Sequence, residues 1–111
     1  MSPRRLLEIV FSIDPQRLDL AREFRARPFG VHSPELQAVL AVMRSAPIDG
    51  KFVLVCTRPH EEWVLARIHL DPPRAELTGQ YFRNLEDAEW EVFRLRWAHH
   101  TGVSLNLESD P

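Results

Sequence analysis

Five histidines (His32, His60, His69, His99 and His100), the lone cysteine Cys56 and the adjacent carboxylates Glu61 and Glu62 are the side chains whose chemistry includes proton transfer, nucleophilic attack or metal ligation. Their spacing assembles none of these. The stretch PHEEW, Pro59 to Trp63, lacks the second histidine one helical turn on that a zinc-protease helix needs, and it falls between two strand-like runs. His99 and His100 follow a helical pattern, where imidazoles favour the carbonyl end of a helix, and adjacent helical residues diverge and chelate poorly. Cys56 lies in the apolar run FVLVC, which predicts a small buried hydrophobe, with no base placed beside it. No glycine-rich phosphate loop occurs among the four glycines, of which Gly30 and Gly102 read as turn and helix-end residues. The expectation is therefore no catalytic, cofactor-binding or metal-ligating residue in this chain. A small enzyme using the histidines is the competing reading, and it requires metal or activity in the isolated chain.

The elements that position these residues follow from hydrophobic period and punctuation. Leu6, Leu7, Val10 and Phe11 mark one face of a first helix in PRRLLEIVFSI. Asp14-Pro15 predicts the start of a second helix, reaching Arg27 before Pro28, with Leu18, Ala21 and Phe24 inward. Ser33-Pro34 repeats that logic for a third helix, in which Leu36, Val39, Leu40 and Met43 share a face up to Pro47 and Gly50. KFVLVCT and EWVLARIHL, separated by RPHE, predict an antiparallel pair. DPPRAELTG reads as a connecting loop, because Pro72 and Pro73 exclude a regular central strand, and GQYFRN as a short third strand.

Asn84, followed three residues on by Asp87, predicts the cap of a last helix that carries EWEVFRLRW. At about 100° per residue, Leu85, Ala88, Val92 and Leu95 occupy one side of it and Trp90, Phe93 and Trp97 an adjacent one, an apolar arc of roughly 200°. That is wider than a small sheet covers. Either several elements of this chain enclose the helix, or the aromatic side meets a partner, with Trp90, Phe93, Arg94, Arg96 and Trp97 as the contact.

Composition sets the outer limits. The chain has 111 residues, 44% hydrophobic and 27% charged, which is ordinary for one globular domain spanning 1–111 with a helical lead-in over 1–27 and a flexible tail over 101–111. Its 14 basic and 16 acidic residues leave a net charge of -2, which supplies no phosphate-attracting field and argues against nucleic acid as a partner. Apolar runs fall far short of the about 18 residues that a membrane span requires. One cysteine and no signal-peptide pattern point to a reducing cytoplasm. The fold class expected is α+β: a mainly helical small domain with about four helices and a short two- to three-stranded antiparallel sheet.

The order of these elements, together with PFG (Pro28 to Gly30), HSPELQ (His32 to Gln37), Arg44, Gly50-Lys51-Phe52, Glu62-Trp63, Phe82, Leu85 to Ala88, Val92-Phe93 and Arg96, resembles the small (alpha) subunit of N,N-dimethylformamidase. The match covers nearly the whole chain, mostly at caps, turns and core positions. This sequence departs from the pattern in a shorter N-terminal lead, the extra Pro59-His60 and the tail HHTGVSLNLESDP. The resemblance implies an accessory subunit that packs on a larger amide-hydrolysing subunit carrying a mononuclear iron centre. It transfers no catalytic residue to this chain. The alternative partner is a second copy, in a stand-alone homo-oligomeric interaction module.

Overall fold

The computed structural model describes residues 12–107, which form three helices and one three-stranded antiparallel sheet in the order α1 (Leu18–Ala26), α2 (Pro34–Arg44), β1 (Phe52–Arg58), β2 (Glu62–Leu70), β3 (Pro73–Phe82) and α3 (Leu85–Thr101). The α+β class is as expected, with three helices instead of about four among the described residues. The helix expected over Leu6 to Phe11 lies outside them.

Local chemistry explains where the helices begin. Ser33 caps α2, its Oγ accepting from the Leu36 amide at 3.2 Å, and Pro34 fills the first helical position, where no donor is needed. Asn84 caps α3 likewise, its Oδ1 accepting from the Asp87 amide at 2.9 Å. At the other end Gly102 adopts φ 74°, the left-handed conformation that a helix end requires and a side chain resists. The start of α1 is a correction: it begins at Leu18 and not at Pro15. Asp14 Oδ1 accepts from the amide of Gln16 at 2.9 Å, closing an Asx turn two residues on instead of capping a helix.

The sheet is larger than its punctuation suggested. β2 pairs with β3 from Leu70↔Pro73 to Trp63↔Phe82, so Pro73 to Gly79 of the segment read as a loop belong to a ten-residue strand and make up most of it. Proline is tolerated there because Pro73 opens an edge strand, where a missing donor costs no ladder bond. A bulge places Thr78, Gly79 and Gln80 opposite Leu65; Thr78 Oγ1 donates to the Leu65 carbonyl at 2.9 Å and Gly79 takes φ 85°.

The core lies between the helices. Ile13, Leu20, Ala21, Phe24, Leu36, Val39, Met43, Phe93, Trp97 and Leu105 form one buried cluster, in which Phe24 stacks on Phe93 at 4.4 Å between ring centroids. The other side of α3 packs on all three strands. Among the described elements, α1 and α2 meet the sheet only through α3. A single helix sandwiched in this way needs a wide apolar arc, and its own chain supplies both covers.

Candidate functional site

The residues with reactive side chains are scattered. His32 sits between α1 and α2 with Nε2 2.8 Å from the Arg27 carbonyl, and His60 takes φ 63° in the β1–β2 turn. His69 on β2 reaches Glu76 on β3 at 3.1 Å. Glu62 Oε2 accepts from Thr57 Oγ1 at 2.8 Å. Cys56 is exposed at the end of β1, which corrects the expectation of a buried thiol; β1 leaves the cover of the molecule at that position. Among the described residues, no group of three or more His, Cys, Asp or Glu is arranged to hold a metal ion, and no helix is long and apolar enough to cross a membrane.

The expected contact residues on α3 divide into three environments. Phe93 and Trp97 are 2% and 0% exposed within the helical cluster, so both are core, and for these two the partner-contact reading is corrected. Rings from the same chain enclose them, Phe93 lying 5.6 Å from Trp90 and 5.7 Å from Trp97. Trp90 is half-buried at the rim. Arg25 covers it, with Cζ 5.7 Å from the ring, and is itself held by Asp87 at 3.0 Å. Arg94 pairs with Glu91, and Arg25, Trp90 and Arg94 line a surface cleft of ≈ 390 Å³ with Leu105 and Leu107.

Arg96 lies in neither surface. It occupies the flank of α3 between the helix-facing and sheet-facing arcs, donating from Nη2 to the Phe52 carbonyl at 2.9 Å, while its buried Nε has no hydrogen-bond partner. Burial lowers its pKa against a smaller opposing effect of Glu89, and burial raises that of Glu89 against the attraction of Arg96. Two clefts open beside it. One, ≈ 220 Å³, is walled by Phe24, Phe29, His32, Arg44 and Glu89. The other, ≈ 200 Å³, lies between the end of α2, the start of β1 and the last turns of α3.

The sequence pattern missed this flank. Its signal was Glu89 and Arg96, two charges seven residues apart on an otherwise apolar helix, which places them on one line along its side.

With these features in place, a family comparison is decisive: the model of the N,N-dimethylformamidase alpha subunit matches residues 8–106. The chain belongs to the N,N-dimethylformamidase alpha-subunit family. No curated protein matches it. Within this family member, Pro28, Phe29, His32, Arg44 and Arg96, all positions that carried the resemblance, converge on the 220 Å³ cleft, and Gly50, Lys51 and Phe52 line its neighbour with Arg96.

Proposed function

We propose that the chain is the accessory small subunit of an amide hydrolase of the N,N-dimethylformamidase type, packing on a larger subunit that carries the iron and the catalytic residues. The observation that supports this most directly is the family match over residues 8–106, since the family is named for a subunit. The surface agrees with such a role. Trp90 and Arg94 sit at the rim of the ≈ 390 Å³ cleft, and Phe29 and Val31 in the α1–α2 loop are 45% and 84% exposed. Aromatic and arginine side chains at a rim are common anchors of association. On this reading the cytoplasm is the compartment and the small chain contributes no catalytic group.

A second copy is the other partner favoured by a specific feature. β3 is an edge strand exposed from Pro73 to Tyr81, with Leu77 and Tyr81 about half-exposed, and such edges pair with further strands.

Co-expression with a large-subunit homologue of the family, followed by sedimentation velocity, tests the proposal. Trp90→Ala should preserve the circular dichroism of the chain and weaken association by about 2 kcal/mol or more if Trp90 anchors the contact. A chain that stays monomeric and binds no large subunit would overturn the accessory role.

A further inference from the structure

We infer that the cleft between the end of α2, the start of β1 and the last turns of α3 is a carboxylate-binding site, with Lys51, Arg67 and Arg96 as its charged wall. The cleft of ≈ 200 Å³ is lined by five basic side chains, these three with His99 and His100, against one acidic residue, Asp49. Asp49 is already engaged, its Oδ1 accepting from the Leu70 amide at 3.0 Å. Each wall residue is anchored by one bond to a backbone carbonyl: Lys51 Nζ to Arg44 at 3.2 Å, Arg67 Nε to Gly50 at 3.0 Å and Arg96 Nη2 to Phe52 at 2.9 Å. These bonds fix the cations in place, and Glu89, on the far side of Arg96, offsets part of the charge of that residue. Met43, Phe52 and Leu95 supply apolar lining for the carbon end of a small acid.

The carbonyl ends of α2 and α3 favour some positive charge here, yet they do not offset all of it. Lys51 is held below its ordinary pKa by burial and then by Arg96, and His100 below its own by burial and then by His99, Lys51 and Arg96. Cations crowded together in a concave, partly buried place attract an anion. A planar carboxylate suits guanidinium donors and a space of this size. The carboxylate is either a free small acid or an Asp or Glu side chain of a partner.

His100 reports occupancy, because the groups facing it are Lys51 from the start of β1, Arg67 from β2, Asp49 from the α2–β1 loop, and His99 and Arg96 from its own helix. The experiment is an NMR pH titration of the histidines of the full chain in sodium acetate and in sodium chloride, each at about 100 mM to equalise screening. Acetate should raise the His100 midpoint by about half a unit relative to chloride, which corresponds to about threefold tighter binding to the protonated form. Arg67→Gln should remove the response with the fold unchanged by circular dichroism, and Lys51→Gln does the same should Arg67→Gln unfold. Equal His100 midpoints in acetate and chloride, or a response that survives both variants, would overturn the site. The same titration on the chain bound to a large subunit separates the two sources, and this arm alone rests on the subunit reading. Loss of the acetate response there assigns the cleft to a partner carboxylate; retention assigns it to a free one.

Discussion

Glu23 on α1 accepts both hydrogen bonds that Ser33 can donate, from the amide to Oε2 at 2.7 Å and from the hydroxyl to Oε1 at 2.6 Å. Ser33 Oγ in turn accepts from the Leu36 amide. One serine therefore caps α2 and ties it to α1, which sets the relation of the two helices across the PFGVH loop. Ser33→Ala should cost about 1 to 2 kcal/mol, more than a cap alone, because Glu23 loses the hydroxyl donor as well and keeps only the amide. Urea melts of the two proteins measure it, and an unchanged midpoint would contradict the double role.

The same pair makes stability depend on pH. The two bonds from Ser33 hold the Glu23 carboxyl below its ordinary 4.5. A depressed native value means that the unfolded chain binds the proton first. The contribution of Glu23 is thus complete above about the ordinary value and is lost as the pH falls through the lower native one. Glu23→Gln should be less stable than the parent at neutral pH, by about 1 kcal/mol given partial exposure. The difference should close on acidification, which melts at a series of pH values would show.

Glu89 carries the opposite sign. Its native pKa is raised by burial, so the folded chain holds this proton more tightly than the unfolded one, and ionised Glu89 disfavours folding at neutral pH. Glu89→Gln should leave neutral stability equal or higher, with the gain fading as the pH falls through the raised value. A clear loss of stability at neutral pH would mean that its attraction to Arg96 outweighs the burial.

Trp97 tests the division of the aromatic arc. As a fully covered side chain against Phe93, it should cost about 3 to 5 kcal/mol on change to Ala. Trp90→Ala should cost much less, since Trp90 sits at the rim. Comparable losses in thermal melts would remove the distinction between core and rim.

What could be read from the sequence was local. Ser33-Pro34 and Asn84 announce helix starts through bonds made within three residues, and the alternating EWVLARIHL needs no distant partner to be recognised as a strand. Asp14 has the same vocabulary but spends its carboxylate on the Gln16 amide, a choice between turn and cap that residue types alone do not decide. Pro73 hid most of β3, because proline excludes a central strand and the position of β3 at the edge is a property of the whole sheet. The width of the apolar arc on α3 was visible, but the number of elements covering it was not. The basic cleft was out of reach for the same reason. Lys51, Arg67 and Arg96 meet only through the Phe52↔Arg67 register and the docking of α3.

The position of α3 also bears on synthesis. Two blocks of the chain, the α1–α2 pair and the β1–β3 meander, emerge first, and each presents a sticky side with nothing to lie on until Leu85–Thr101 follows. Of the described elements, the keystone is delivered last. A ribosome stalling before it, or a nonsense codon at that point, would release two unmated halves with no direct route to each other, the kind of species that aggregates. Completion of this core therefore waits on Leu85–Thr101.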